Sequence, residues 1–537
     1  MEIRFNLPSA RLRRLIGHGY FPAELPPPFT SAGFANHAAE FASSWDGEKI
    51  GKKFQTRPES YSMPRYGHAR RMLSIVNPVN QCHVSNLISK NWSTIRQRLK
   101  RSKITEFDAQ IVMSGNGRAV TGVNFDGVSV RRAAILGSYG SYVKADIARF
   151  YHSIYTHSIP WAIHGKSWVK ENRNTPEFKL SFGNLLDQAV ASGQDGQTIG
   201  IPIGPDTSRI ISELIVSEIE DITKELLPDL NQRAVRFVDD FLIGFNETES
   251  TSKILSALSM SLYDFELELN SEKTVIHGIG YTHPQNWIHY IRTFELSTKA
   301  RRQNDDLDSF FEQAFFLADA NPRDNVLLFA VKRAAGFVID PASIPHLVRW
   351  LLYATRRSPS CLRFVAEHLA ATKPSDPMSE GEVQAYILQQ IPLKAEAVHT
   401  DEVAWLLFWA REIGLKIPSA ILKEATALRS SVVAMLVLDL NQKGLIEGQI
   451  DTSLWRSSAN QNGLRSEMWL VSYEATKRGW WPGNIKTSFI TGHPYFSDIW
   501  NKDVNFYDPD KKAREKVKPA FLMVVSGGTG GGSSGYP

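Results

Sequence analysis

The segment RFVDDFLIGF, Arg236–Phe245, decides how this chain is read. Apolar residues flank two adjacent carboxylates, the pattern of a β-hairpin with Asp239 and Asp240 at its turn. Neighbouring acids between strands are costly to bury unless a cation or hydrogen-bond donors compensate them. A hard divalent ion is the natural partner, because Mg²⁺ takes carboxylate oxygen and keeps positions open for phosphate. Far upstream, Asp146 ends an apolar run in YVKADIARFYHSIYTHSI, Tyr142–Ile159. Brought beside the hairpin, it completes three aspartates, the set that two-metal phosphoryl transfer requires. The distance along the chain calls for a folded βαβ-type excursion between them. TIGIPIGPDTSRIISELIVSEIE, Thr198–Glu220, supplies a Gly/Pro loop running into an amphipathic helix. Gly200 and Gly204 would let backbone approach a substrate, and the helix N-terminus favours phosphate.

Around this centre the charge is uneven. The whole chain carries +5, yet residues 1–105 hold 17 Lys+Arg against 6 Asp+Glu. A basic first fifth with Tyr61, Tyr66 and Trp92 interleaved suits a polyanion such as nucleic acid. With 42% hydrophobic and 22% charged residues over 537 positions, the composition is globular and excludes a disordered or fibrous chain. The length implies two to four domains. The richest apolar run, AWLLFWA (Ala404–Ala410), is far short of a membrane span, and the N-terminus lacks a signal-like apolar core. Two cysteines, Cys82 and Cys361, exclude a disulfide framework and a Cys-rich zinc module. The expectation is a soluble, reduced, cytoplasmic protein with no membrane partner.

Along the chain, the first 60 residues read as loop-rich, with Pro26–Pro28 in sequence. A strand and turn over Met72–Val84 precede a helix near Asn86–Leu99, and residues 110–145 read as short β-like runs between Gly and Asn turns. After about residue 300 apolar residues recur at helical spacing near 308–319, 325–337, 344–356, 361–371, 401–413 and 420–440. Consecutive helices without strands suggest an α-helical array. The end, from Ser526, is a flexible Gly/Ser tail.

These pieces, in this order, resemble the palm of a reverse transcriptase over roughly residues 60–280. ADIARFYHSI is similar to that family's first catalytic motif, GIPIGPDTS to its template- and nucleotide-handling loop, and RFVDDF to its two-Asp hairpin. LELNSEKT (Leu267–Thr274) resembles the motif that follows, with Lys273 in the lysine position. MPRYGHARRMLSIVNP resembles the basic hairpin of the fingers, with Arg65 and Arg71 at the cationic positions. FYHSIYTHSIPWAIHGK and GIPIGPDTSRIISE, followed by a long helical region, resemble the bacterial defence-associated, abortive-infection reverse transcriptases. Retron and group II intron enzymes fit less well: no Val-Thr-Gly follows the palm, since Val120-Thr121-Gly122 precedes it, and no maturase or HNH segment is visible. One departure is Ile199, which stands where the family usually has Gln before Gly200.

The resemblance implies an α+β fold with a right-hand fingers–palm polymerase, and the helical spacing after about residue 300 adds an all-α, HEAT-like helical-repeat domain. The expected division is 1–140 for the N-terminal extension and basic fingers, 141–295 for the palm, 296–515 for the helical domain and 516–537 for the tail. It also implies roles. Asp146, Asp239 and Asp240 are the catalytic set and ligate two Mg²⁺ ions, which Mn²⁺ can replace, with the Ile147 carbonyl completing one shell. Tyr151 places a ring beneath the incoming sugar and excludes a 2′-hydroxyl. Arg65 and Arg71 hold the triphosphate, Gly200 and Pro202 shape the nucleotide site, and Lys273 meets the departing pyrophosphate. His152, His157 and His164 read as structural, having no Cys partners. The implied partners are dNTPs, an RNA template or companion non-coding RNA, a DNA product and further copies of the chain. Tyr473 and Tyr536 are candidates for starting synthesis on a tyrosine hydroxyl. The competing reading is a catalytically silent scaffold whose helices bind a phage or host protein.

Overall fold

The computed structural model describes residues 7–67, 69–246, 250–278, 287–372 and 377–513. The Gly/Ser tail, Tyr536 and all of residues 516–537 lie outside the described residues.

Strands β1 (Glu59–Pro64) and β2 (Arg70–Ile75) form an antiparallel hairpin. Strands β3 (Ser141–Asp146), β4 (Ala234–Phe237), β5 (Asp240–Phe245) and β6 (Val275–His277) form one sheet in the order β4-β5-β3-β6. Each neighbouring pair in it is antiparallel, so β3 and β4 run the same way with β5 inserted between them. The expected βαβ excursion is therefore a split one, its crossover built of short helices and the long Asp206–Leu226 helix. A second helix, Thr251–Tyr263, links β5 to β6. The resulting β-α-β-β-α-β order puts the end of β3 and the β4–β5 turn at one edge of a rigid sheet.

Three stretches differ from their sequence reading. The supposedly loop-rich start holds helices Pro8–Gly19, Ala32–Ser44 and Gly47–Lys53. Leu12, Leu15 and Ile16, then Phe34, Ala38 and Phe41, recur at helical spacing and are buried. The helix expected from Asn86 begins at Pro78, where Asn77 accepts the Val79 N–H and Pro78 takes the first turn; it breaks at Asn91 before Trp92–Leu99. Within 110–145, Phe125–Tyr139 is a helix. Its start is set by Asn124 accepting the Gly127 N–H and by Asp126 in the first turn. It lies against β5 because Gly244 has no side chain: a Cβ there would meet Ile135 Cγ2 at 2.7 Å.

The C-terminal segment is mostly helical. Helices Ala300–Ala320, Val326–Ala334, Ile344–Arg357, Leu362–Thr372, Pro377–Glu396 and Thr400–Ile413 each pack on the next or the next but one. The single helix read over 420–440 is interrupted, and Ser430 caps a new helix, Ser431–Gln442. Two-residue strands at Ile417–Pro418 and Ile446–Glu447 pair in parallel, so the segment is not purely α. Among the described residues no helix is long and apolar enough to cross a membrane; AWLLFWA is instead buried throughout.

Apolar side chains gather into two cores. One joins Val143, Ala145, Phe241 and Ile243 of the sheet to Ile210, Leu214 and Ile215 of the 206–226 helix. The other joins the N-terminal helices and the β1–β2 hairpin to the C-terminal helices, Phe34, Phe41, Tyr61 and Leu73 sharing it with Trp405, Trp469 and Tyr507. Backbone bonds reinforce that second core: Thr30 N–H donates to the Phe506 carbonyl at 2.9 Å and Asp508 N–H to that of Pro28 at 2.8 Å. The N-terminal helices and the C-terminal segment, among the described residues, thus fold as one body.

Candidate active site

The sheet register itself assembles the acids. Asp146 ends β3 directly opposite Asp240, which begins β5; such partners stand about 4.5–5.5 Å apart at Cα. Asp239 sits in the two-residue β4–β5 turn, and its carbonyl accepts the Ile147 N–H at 3.3 Å. All three aspartates named from the sequence therefore meet at one end of one sheet.

That turn is strained and firmly held. Val238, a β-branched residue, has φ +55°, a left-handed conformation that costs about 1–3 kcal/mol. Arg236, fully buried, fastens it: one guanidinium nitrogen donates to the Val238 carbonyl at 2.7 Å. The same guanidinium forks onto Glu213 and donates through Nε to Glu220, both on the 206–226 helix. Glu220 is completed by the Ser102 hydroxyl. A buried arginine shared by two carboxylates is tolerable only because its donors are satisfied. Arg236 was legible only as part of RFVDDF; its signal was Glu213 and Glu220, seven residues apart and so on one helix face.

Burial pushes the Asp239 carboxyl up to about 6, helped by the charges of Asp240 and Asp146. Asp240 is raised too, chiefly by burial, with Lys144, Lys273 and Arg65 opposing. Among the described residues neither has an ion-pair partner. Asp146 does: Lys273 Nζ lies 2.8 Å from its Oδ2, and Asn270 Nδ2 donates to its Oδ1 at 3.1 Å. Asn270 N–H also donates to the Asp146 carbonyl at 2.7 Å, so LELNSEKT is a loop wrapped on the end of β3. Asn270 was not singled out in the sequence. Among the described residues no three acidic, histidine or cysteine side chains are gathered as a ready ion cage. The donor set nonetheless fits a hard cation: adjacent carboxylates, two of them without an ion-pair partner among the described residues and raised by burial and mutual repulsion.

The other named residues surround this edge. Tyr151, half-buried, follows β3, and its hydroxyl accepts from Ser212 at 3.2 Å. Its carbonyl accepts the Ile201 N–H at 2.9 Å, bringing the GIPIG loop beside it. Gly200 has φ +84°, and a Cβ there would lie 3.3 Å from the His152 carbonyl, so the loop approaches as only glycine allows. Pro202 follows in the same loop, and Ser74 N–H of β2 donates to the Ile203 carbonyl at 2.8 Å. Ile199 is 62% exposed. Arg65 stands at the β1–β2 turn over the Tyr66 ring, close enough to act on Asp240. Arg71, exposed on β2, acts on the neighbouring His152.

Two expectations change. The start of the 206–226 helix is filled by its own anion, Asp206, which pairs with Arg118 at 2.8 Å and accepts the Val120 N–H at 3.0 Å. A phosphate would have to displace a buried carboxylate there. Tyr473 is fully buried, its hydroxyl donating to the Val504 carbonyl at 2.8 Å and pushed far up by burial, so it cannot offer an accessible hydroxyl. The three histidines have separate surroundings: His157 bonds Asp187, His164 accepts the Gly183 N–H at 3.1 Å, and His152 is exposed.

Comparison with known proteins gives a family match. Residues 71–291 match the family model described as reverse transcriptase (RNA-dependent DNA polymerase). The chain thus contains a reverse transcriptase domain, the domain class of RNA-directed DNA polymerases, which are nucleotidyltransferases. No curated protein matches it in sequence. Among solved structures, telomerase from Candida albicans in complex with a TWJ fragment of telomeric RNA is similar at 14% identity, covering 75% of this chain and 67% of that one. The TM-score is 0.29.

Proposed function

We propose that this chain extends a nucleic-acid strand with deoxynucleotides, and that Asp146, Asp239 and Asp240 are its catalytic carboxylates. The observation that carries the reading is the meeting of Asp146 and Asp240 across β3–β5, with Asp239 beside them and lacking an ion-pair partner among the described residues. The three would hold two Mg²⁺, with the Ile147 carbonyl beside them, and the ions when bound would polarise the phosphate and activate the attacking hydroxyl. Lys273 bridges to Asp146 and is free to swing toward leaving pyrophosphate once that carboxylate has another partner. Arg65 and Arg71 line the approach and suit the triphosphate. Tyr151 lies where a ring can exclude a 2′-hydroxyl, and Gly200 and Pro202 keep the loop close to the nucleotide. An RNA template, a companion RNA and self-association fit the basic N-terminal region and the large helical body. A role in anti-phage defence is supported by the resemblance of FYHSIYTHSIPWAIHGK and the long helical segment to that group. The HEAT-like description is supported by the next-but-one packing of the helices.

The test is dNTP incorporation with Mg²⁺ by the wild type and by Asp239→Ala with Asp240→Ala. Loss of incorporation in the variant supports catalysis; equal incorporation, or none by the wild type, favours the silent scaffold.

A further inference from the structure

β2 carries two adjacent arginines, and successive strand residues face opposite ways. Arg71 is exposed on the side of His152. Arg70 goes the other way, into the C-terminal helices. Its Nη1 and Nη2 donate to the two Glu402 oxygens, each at 2.7 Å, in a bidentate pair. The remaining donors serve β1: Nε donates to the Ser62 hydroxyl at 2.8 Å and Nη2 to its carbonyl at 2.6 Å. The Glu402 side chain is fully buried. Around it, the Ser62 N–H donates to Thr400 Oγ1 at 2.8 Å, and Ser430 Oγ donates to Glu59 at 2.7 Å. The first turn of the 400–413 helix thus grips the hairpin edge, while the Ser74–Ile203 bond ties the same β2 to the GIPIG loop.

We infer that Glu402, acting through Arg70, is a positioning residue for the incoming nucleotide: it fixes β2 so that Arg71 is presented to the triphosphate. The C-terminal helices are then part of the nucleotide site without touching it. Planar bidentate pairing fixes orientation as well as distance, which a single-point lysine contact does not. The inference rests on the assignment of Arg71 to the triphosphate, and the experiment separates the two.

Steady-state extension is measured with the full chain for wild type, Glu402→Gln, Arg70→Lys, Arg71→Ala and the Glu402→Gln/Arg71→Ala pair. Arg70→Lys keeps the positive charge beside Glu402 and safeguards folding, which far-UV circular dichroism checks at assay temperature. The expected result is a dNTP KM raised about tenfold in Glu402→Gln and several-fold in Arg70→Lys, the scale of one lost charge-assisted bond, with kcat within about twofold. The double variant should be no worse than Arg71→Ala alone, because both act through one contact. Unchanged KM in the folded Arg70→Lys and Glu402→Gln proteins, or a fall in kcat alone, overturns the positioning role. Unchanged KM in Arg71→Ala instead overturns the triphosphate assignment itself.

Discussion

Two sets of three acids, one along the seam between the β1–β2 hairpin and the C-terminal helices and one at the edge of the palm sheet, are built differently. Glu59, Asp401 and Glu402 lie between the β1–β2 hairpin and the C-terminal helices, all nearly inaccessible. Glu402 ends on Arg70, Glu59 on Ser430 and the Val432 N–H, and Asp401 packs beside Tyr61. Asp146, Asp239 and Asp240 stand at the edge of the palm sheet, where only Asp146 has an ion-pair partner among the described residues. Burial raises carboxyls in both places, Glu59 to about 7 and Asp401 to about 8 against about 6 for Asp239. A raised carboxyl therefore does not distinguish a site from a seam. What does is access: Asp239 and Asp240 stay partly open to solvent and to anything that binds there, whereas Glu59, Asp401 and Glu402 are closed off.

That contrast breaks most visibly in Asp239→Asn. Neutralising a repelled palm acid should cut dNTP incorporation about a thousandfold or more, the several kcal/mol that charge stabilisation supplies. The melting temperature should hold or rise, since one of three like charges is gone. A stable protein with near-normal incorporation would put the palm cluster in the same category as the seam.

Next in size is Arg236→Met, which turns a satisfied cluster into a broken one. Glu213 and Glu220 would keep their burial and lose their shared cation, at about 3–5 kcal/mol of stability. The measurement is the urea midpoint. A loss below about 1 kcal/mol would mean that the buried carboxylates protonate cheaply and that the turn is held by the sheet alone.

How much of this was legible in the sequence follows the same division. The palm acids announce themselves because chemistry demands them in apolar surroundings: Asp239 and Asp240 inside RFVDDF, Asp146 at the end of YVKAD. The helices of the C-terminal half were legible wherever an apolar stripe repeats, as in Thr400–Ile413. The Phe125–Tyr139 helix was not, because it buries little beyond Ile135 and its Val and Gly content imitates a strand. The Arg70–Glu402 pair was beyond reach as well. Nothing local links a strand residue to a helix more than three hundred positions away, and charged residues read singly look like solvated surface. The core shared by the N-terminal and C-terminal helices is hidden for that same reason.

A smaller effect concerns Tyr151. Tyr151→Ala opens space beside Gly200 and should relax exclusion of ribonucleotides about tenfold, the usual scale of discrimination by pocket shape. Competing rNTP and dNTP incorporation gives the ratio. Unchanged discrimination would leave Tyr151 as a core tyrosine bonded to Ser212.

The smallest effect probes the seam by pH. Asp401 in the folded chain titrates near 8, well above its ordinary 3.8, because burial and the Glu402 charge disfavour its anion. Below about pH 4 both folded and unfolded chains keep the proton, so the contribution is fully present. Between there and about 8 the unfolded chain has released a proton that the folded chain retains, and stability falls as pH rises. Above about 8 the slope vanishes. Asp401→Asn cannot titrate, so urea midpoints at pH 5, 6.5 and 8 should decline less steeply in the variant, by up to about 1 kcal/mol per pH unit. Stability and chemistry part here: the seam is tightest when Asp401 is neutral, whereas the palm set needs its carboxylates ionised to receive a cation. An undiminished slope in Asp401→Asn would transfer the effect to Glu59, the other raised acid facing the same helices.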